Sequence, residues 1–457
     1  MTEVTREPDR CRPNVVVFLT DQQRWDTMGL HGNPLDLTPN LDRLAGQGTF
    51  PRYSFTNQPV CAPSRASLQT GQYATQTGVY RNDIPLSAEA TTLAHLFRDA
   101  GYRTGYIGKW HLSEHEPVPR EDRGGYEFWL GANQTEFVSD AYRTVLFDGD
   151  GQEMHLPGYR VDATTDAAIR FIDDHDAEPF FLFVSYLEPH HQNHTDDYPP
   201  PTGYRERYQG RWMPPDLAAL GGSAHRQLGG YFGMVKRLDE ALGRLVDALV
   251  SLGLLDDTIV LFTSDHGCHF KTRNSEYKRS AHDASVRVPT VLHGGRFSGG
   301  RVLEELVSHV DLAPTLLDAA GLEVPESMSG RSFLPLVERH DIEWPDDIYV
   351  QISEAQVGRA VRTARWKYAV YAPDADAWDD PTADHFVEEA LYDLAADPYE
   401  LDNLIFLESH RGVADAMRAR LVAHMERVEG ISPRIDAPAE PFARYRERSV
   451  PPGEELT

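Results

Sequence analysis

Three apolar segments of the sequence end in polar side chains that could bind a metal ion or move a proton. The segments are residues 14–19, 179–186 and 258–263, and they are followed by Asp21-Gln22, Glu188-Pro189-His190 and Asp265-His266. Continuous runs of β-branched and aromatic residues are typical of strands that are buried on both faces of a sheet. Because ligands of open α/β sheets bind at the carboxyl ends of the strands, we expect these polar side chains at one sheet edge.

The most specific segment is residues 61–71, Cys-Ala-Pro-Ser-Arg-Ala-Ser-Leu-Gln-Thr-Gly. It places the Cys61 thiol just before a turn that Pro63 fixes, with the cationic Arg65 four residues further on. A lone cysteine in such a position is explained as well by a buried structural thiol as by a nucleophile. The residues around it decide between the two interpretations.

Cys-x-Pro-Ser-Arg followed by Thr-Gly resembles the signature of type I sulfatases, of the alkaline phosphatase superfamily, in which a dedicated enzyme oxidises the cysteine to Cα-formylglycine. Further blocks resemble the same family, in order and at compatible spacing. They are residues 21–26 (Asp-Gln-Gln-Arg-Trp-Asp), 108–112 (Gly-Lys-Trp-His-Leu), 264–267 (Ser-Asp-His-Gly), 278–279 with 287–289, 308–315 and 391–404. The resemblance covers roughly residues 14–405.

This resemblance implies hydrolysis of a sulfate monoester, of a carbohydrate or of a small alcohol or phenol, by a hydrated aldehyde at position 61. One hydroxyl, made more acidic by a divalent cation, attacks the sulfur and forms a sulfo-enzyme intermediate. The second hydroxyl then loses its proton, the aldehyde reforms, and sulfate leaves by C–O cleavage. A serine has no second hydroxyl from which the aldehyde could reform, so it would remain sulfated.

By the same resemblance, the metal is held by Asp21, Gln22, Asp265, His266 and the modified Cys61. Many family members have Asp-Asp and Asp-Asn where this chain has Asp-Gln and Asp-His. Oxygen ligands suit Ca²⁺, whereas an added imidazole moves the preference toward Mn²⁺ or another transition ion. We therefore expect one divalent metal, Ca²⁺ or Mn²⁺.

The resemblance also assigns roles to cationic and imidazole side chains. Lys109 and Lys278 would bind the sulfate oxygens, and Arg65 would hold the formylglycine hydroxyl in place. His111 is the candidate base that deprotonates the second hydroxyl.

The candidate acid for the leaving oxygen is His190. His191 follows it directly, and the Pro-Phe that often comes next in the family is here Gln192-Asn193, so the choice between the two histidines stays open. His191 and Asn82 are also candidates for binding the polar part of the substrate. Solvated loops explain these two polar side chains equally well.

Two other functions compete with the sulfatase. The Asp-Gln and Asp-His pairs, with Asn82 following Cys61, also resemble phosphonate monoester hydrolases and phosphodiesterases that use the same formylglycine; choline sulfatases share the metal pattern too. Because a sulfate monoester and a phosphodiester both carry one negative charge, formal charge does not separate them. A non-catalytic scaffold would be expected to lack a modification or metal residue, and none is missing.

The elements that must position these residues indicate an α/β fold. Helical patterns at 91–100, 162–174 and 229–252 alternate with the buried strands, which predicts a large, mostly parallel central sheet flanked by helices, resembling alkaline phosphatase. We expect an N-terminal arm (1–13), a catalytic domain (14–340) with a surface loop at 196–215, a smaller α+β domain (341–429) and a Pro-rich arm (430–457). The last arm could reach a neighbouring subunit of a homo-oligomer.

Charge and composition limit the partners. The 457 residues carry a formal net charge of −27, which disfavours nucleic acid and anionic membranes and requires a local cationic pocket for an anionic ester. The apolar runs are too short to span a bilayer. Three cysteines, Cys11, Cys61 and Cys268, make no disulfide framework, and the charged N-terminal residues lack a signal peptide's apolar stretch, so we expect a cytoplasmic protein that a formylglycine-generating enzyme matures.

Overall fold

The first apolar segment forms a strand near the middle of a ten-stranded sheet. A computed structural model describes residues 12–438; Cys11 and most of both predicted arms lie outside the described residues. The strands are β1 (Asn14–Thr20), β2 (Thr49–Phe55), β3 (Arg103–Lys109), β4 (Phe128–Ala132), β5 (Thr144–Phe147), β6 (Glu153–Leu156), β7 (Phe180–Ser185), β8 (Thr258–Ser264), β9 (Thr290–His293), β10 (Arg301–Ser308), β11 (Asp347–Ile352), β12 (Gly358–Thr363), β13 (Trp366–Tyr371), β14 (His385–Asp393) and β15 (Arg434–Asp436).

Helices cover both faces of the large sheet. They are α1 (Pro39–Gln47), α2 (Cys61–Thr70), α3 (Ala74–Thr77), α4 (Leu93–Asp99), α5 (Thr135–Val138), α6 (Arg160–Asp174), α7 (Tyr204–Tyr208), α8 (Pro215–Ala219), α9 (Ala224–Ser251), α10 (Asp283–Val286), α11 (His309–Ala319), α12 (Leu334–Val337) and α13 (Arg411–Glu429). Among the described residues, no helix is long and apolar enough to cross a bilayer.

The strand order of the large sheet is β10-β2-β9-β8-β1-β7-β3-β4-β5-β6. The five strands from β8 to β4 are all parallel, and antiparallel pairs lie outside them. Strand β1 is buried along its whole length because alternate residues enter two cores. Val15 and Val17 pack with helices α2, α4 and α11, and Val16 and Phe18 pack with α1, α6 and α9. The predicted α/β architecture is thereby confirmed.

The second sheet has the order β11-β12-β13-β14-β15. It is antiparallel except for β15, which pairs in parallel with β14, so part of the segment predicted as a C-terminal arm joins this sheet. One face packs on helix α13 through Tyr368 and Leu421. The other face packs on the large sheet through Val350 and Phe55. The smaller unit is thus fixed against the large sheet by an apolar core.

The predicted loop at 196–215 is wrong in one respect, because it contains the short helix α7. This helix packs on α9, where Gly229, Gly230 and Gly233 leave room for it. A Cβ at Gly233 would lie 2.9 Å from the Cβ of Tyr204. Helix α9 accordingly begins earlier than its apolar spacing predicted, at Ala224.

Strands β3 and β7 approach so closely that only glycine fits at position 108. Gly108 has a φ of +108°, and a Cβ there would lie 1.9 Å from the carbonyl oxygen of Ser185. We predict that Gly108→Ala destabilises the protein by about 3 kcal/mol or more, because the cost of backbone strain and the cost of a clash with the main chain are both incurred. Urea unfolding followed by circular dichroism would measure this loss.

Gly78 provides the matched control, with a φ of +78° and no heavy atom within 4 Å of the position that a Cβ would take. Gly78→Ala should cost only the conformational penalty of about 1–2 kcal/mol. Equal losses of unfolding free energy in the two variants would contradict the argument from close strand approach.

Candidate active site

The carboxyl ends of the parallel strands bring most of the predicted residues together. Asp21 follows β1, Lys109 ends β3, His190 follows β7 and Asp265 follows β8, while helix α2 begins at Cys61. One ligand atom each of Asp21, Cys61, Asp265 and His266 lies within 4.8 Å of the others, and all four residues are buried. The edge of the sheet therefore carries a cluster that could hold a metal ion.

Cys61 lies at the centre of the cluster. Its Sγ is 2.8 Å from Nζ of Lys278, 3.3 Å from Nε2 of His266 and 3.9 Å from Nζ of Lys109. Burial and Asp21 raise the pKa of the thiol, but Lys109, Lys278 and His266 outweigh them and hold this pKa well below its ordinary value. The surroundings of position 61 are therefore built to stabilise negative charge on that side chain.

Arg65 binds the two carboxylates of the cluster. It donates through Nε to Oδ2 of Asp265 and through Nη2 to Oδ2 of Asp21, both at 3.0 Å. Nη1 donates to the carbonyl of Lys109 and to Oγ of Ser185. Burial lowers the pKa of the guanidinium, but the two carboxylates raise it by more. The net pKa is above its ordinary value, so Arg65 stays charged. The structure thus places Arg65 on the carboxylates rather than on Cys61.

Gln22 and His266 have amide and ring atoms that suit a cation. Gln22 has a φ of 70° and donates from Nε2 to the hydroxyl of Tyr198 at 2.9 Å, which leaves its buried Oε1 without a partner among the described residues. Nδ1 of His266 lies 2.9 Å from the carbonyl oxygen of Gly267, so Nε2 faces the cluster. With two carboxylates, this donor set fits a divalent metal ion.

Two lysines make the pocket cationic. Nζ of Lys109 donates to Asp21 and to Glu136, each at 2.8 Å. Nζ of Lys278 lies 2.9 Å from Nε2 of His266 and contacts Cys61 directly. Burial lowers the pKa of Lys109, but Asp21, Cys61 and Glu136 raise it above its ordinary value. Lys109 is therefore charged although its side chain is fully buried.

His190 and His191 both lie beside the cluster with their rings stacked, the centroids 4.3 Å apart. Burial is the main cause that lowers the pKa of each imidazole, for His191 to about 4. Nδ1 of His190 lies 2.6 Å from the carbonyl oxygen of His191, so its neutral form presents Nε2 as the free nitrogen. The ring of His191 also packs on the ring of Tyr277, with the two centroids 4.4 Å apart.

His111 and Asn82 are next to residues of the cluster, since His111 follows Lys109 by two positions and Asn82 contacts Ala62. His111 has a φ of 62°, and its Nε2 is 3.3 Å from Nε2 of Gln134. The carbonyl oxygen of the Asn82 side chain accepts from the backbone N–H of Ala62 at 3.1 Å, so Asn82 holds the start of helix α2. Asn82 therefore contacts the residue next to Cys61, and its role in binding a substrate stays a prediction.

The sequence did not predict two carboxylates that contact the predicted site residues. Glu136, on α5, binds Lys109, and Glu354 accepts from the backbone N–H of Asn82 at 2.7 Å while pairing with Arg279. Glu354 follows strand β11 of the smaller sheet, so that sheet helps to hold the segment of Lys278. Neither glutamate lies in a recognisable motif; only their contacts reveal them.

Comparison with known proteins places the chain in a family. The sulfatase family model matches residues 13–322, and a model described as N-sulphoglucosamine sulphohydrolase, C-terminal, matches residues 275–427. An ulvan-active sulfatase of Formosa agariphila is 29% identical over 442 residues, which span 92% of this chain and 82% of the relative.

Solved structures share the whole fold. The putative sulfatase yidJ of Bacteroides fragilis superposes with a TM-score of 0.81 at 24% identity, covering 97% of this chain and 99% of that one. A phosphonate monoester hydrolase of Agrobacterium radiobacter superposes with a TM-score of 0.70 at 24% identity, covering 91% and 96%. The family model covers more than half of the chain and the cluster around Cys61 lies within it; the protein is a member of the sulfatase family and a sulfuric ester hydrolase.

Proposed function

We propose that this protein hydrolyses a sulfate monoester of a carbohydrate through a formylglycine formed from Cys61. The observation that carries the proposal is the position of residue 61, at the start of helix α2 and in contact with Asp21, His266, Lys109 and Lys278. No ordinary structural cysteine needs two buried lysines and a cluster of metal-binding groups around its sulfur.

The side chains divide the chemical work. A hydrated formylglycine would supply the nucleophilic hydroxyl; Asp21, Gln22, Asp265 and His266 would hold a divalent ion, which when bound would make that hydroxyl more acidic. Lys109 and Lys278 bind the sulfate oxygens and offset the charge that develops on them. Arg65 keeps the two carboxylates oriented. His111 accepts the proton of the second hydroxyl, so that the aldehyde can reform.

His190 is proposed to protonate the leaving oxygen. In the substrate-free site, burial lowers the pKa of His190 well below its ordinary value, so the ring is neutral at pH 7. A bound ester adds a negative charge next to the ring and raises this pKa, because an opposite charge favours the protonated form. His190 then acquires its proton together with the substrate.

A carbohydrate is the proposed substrate class. Asn82 contacts Ala62, next to Cys61, and His191 stacks on His190, so both could offer hydrogen-bonding groups to a sugar, as could the rest of the polar run at 191–197. The family model that matches residues 275–427 is named after the hydrolysis of a sulfated amino sugar, which supports this choice.

The identity of the metal stays open between Ca²⁺ and Mn²⁺. Four further points stay predictions: maturation by a formylglycine-generating enzyme, assembly into a homo-oligomer, a cytoplasmic location and the division of the chain into four parts.

The direct test compares esters that share one negative charge. We predict that protein produced with a formylglycine-generating enzyme hydrolyses 4-nitrophenyl sulfate and a monosaccharide sulfate with a kcat/KM at least about tenfold above that for bis(4-nitrophenyl) phosphate, because the chain belongs to the sulfatase family. Release of 4-nitrophenolate and of inorganic sulfate measures the two reactions. Cys61→Ala serves as the background and should abolish all activity.

A preference for the phosphodiester would overturn the sulfatase proposal. It would favour the phosphonate monoester hydrolase alternative, whose fold this chain shares.

The two adjacent histidines can be separated by the leaving group. His190→Asn should lower kcat about 10²–10⁴-fold for an alkyl or sugar sulfate, whose alkoxide needs a proton, and much less for 4-nitrophenyl sulfate, whose phenolate leaves unaided. His191→Asn is the matched control and should change both rates to a similar extent. If His191→Asn showed the leaving-group dependence instead, the acid would be His191.

A further inference from the structure

Glu136 is a buried carboxylate for which the proposed mechanism has no use. Its side chain is 4% exposed, and Oε1 accepts from Nζ of Lys109 at 2.8 Å. Oε2 is buried as well and has no hydrogen-bond partner among the described residues. Because buried carboxylate oxygens are normally satisfied, an unsatisfied one next to a catalytic group calls for a functional explanation.

Glu136 carries a negative charge. Burial raises the pKa of its carboxyl, but Lys109 and then His111 lower it, and the net direction is below the ordinary value. The ion pair with Lys109 is fully desolvated, with side-chain exposures of 0% and 4%. The charge is therefore poorly screened by solvent and acts directly on whatever Lys109 binds.

Glu136 lowers the positive charge next to Lys109. Nζ of Lys109 lies between two carboxylates, those of Asp21 and Glu136, at 2.8 Å from each. Asp21 is also bound by Arg65 and belongs to the cluster that could hold a metal ion, whereas Lys109 is the cation that Glu136 contacts. Without the carboxylate of Glu136, the net charge next to Lys109 would be more positive by one.

This difference bears on which esters fit. A sulfate monoester and a phosphodiester carry one negative charge, whereas a phosphate monoester carries two above its second pKa. The extra charge of a phosphate monoester on Lys109 would lie close to the carboxylate of Glu136, and like charges in a buried site repel strongly. A singly charged ester avoids most of this repulsion.

We propose that Glu136 is a specificity-determining residue that excludes dianionic phosphate monoesters from the site. It does so by lowering the positive charge at Lys109 while leaving this lysine able to bind a singly charged ester. The inference rests on the proposed function, in that Lys109 is taken to bind the oxygens of the transferred group.

Glu136→Gln tests the proposal because it removes the charge and keeps the size of the side chain. At pH 8, where 4-nitrophenyl phosphate is a dianion, the ratio of its kcat/KM to that of 4-nitrophenyl sulfate should rise about tenfold or more in the variant. The ratio of bis(4-nitrophenyl) phosphate to 4-nitrophenyl sulfate should stay nearly unchanged, since both are singly charged.

Two controls separate charge from other effects. Asp83→Asn removes an exposed charge that contacts Gln134 and should leave both ratios unchanged. Glu136→Asp keeps the charge but shortens the side chain, and it should keep the wild-type ratio even if both rates fall.

A binding measurement gives a readout independent of turnover. In metal-loaded protein with Cys61→Ala, calorimetry should show that Glu136→Gln binds inorganic phosphate at pH 8 about tenfold more tightly than the parent. If kcat/KM fell equally for all three esters, or if the affinity for phosphate stayed unchanged, the proposed role of Glu136 would be overturned. Glu136 would then be only a structural partner of Lys109. A wild-type preference for the diester over the sulfate would overturn the proposed function instead, while the ratio of phosphate monoester to diester would still decide the role of Glu136.

Discussion

Two buried carboxylates, Asp21 and Asp265, lie side by side, and the arrangement of the site depends on the single guanidinium that bridges them. Arg65 binds one oxygen of each at 3.0 Å. Without this cation, two like charges in a water-free interior would cost far more than the fold can supply, and one carboxyl would become protonated. With this bridge in place, Asp21 and Asp265 can together hold a divalent ion, and in the proposed mechanism Lys109 and Lys278 bind the ester.

The large sheet makes this bridge possible. Strands β1 and β8 run side by side in parallel, so Asp21 and Asp265 follow neighbouring strand ends, and the backbone N–H of Asp265 donates to the carbonyl of Thr20. Arg65 lies one turn beyond Cys61 on helix α2, so the residue that holds the carboxylates is on the same helix as the proposed nucleophile. Ser64, between them, donates from Oγ to the carbonyl of Asp265 at 2.6 Å. The helix and the sheet edge are therefore joined by side chains of one short motif.

The sequence predicted those parts of the structure that local patterns encode. The buried strand at 14–19 and the cluster of Asp21, Cys61 and His266 follow from apolar runs and from a specific motif. Helix α7 was not predicted, because five residues are too short to show an apolar period. The site's glutamates were not predicted either: Glu136 meets Lys109 and Glu354 meets Asn82 only through tertiary packing, across 27 and 272 positions of the chain.

Formylglycine at position 61 is the central claim, and peptide mass spectrometry tests it most directly. The tryptic peptide of residues 53–65 carries Cys61 with no other cysteine. From protein produced together with a formylglycine-generating enzyme, we predict a peptide with an aldehyde in place of the thiol, which a hydrazide probe traps. A peptide that retains its thiol completely under these conditions would contradict the account, because the buried cations around residue 61 would then have no sulfate-transferring nucleophile to serve.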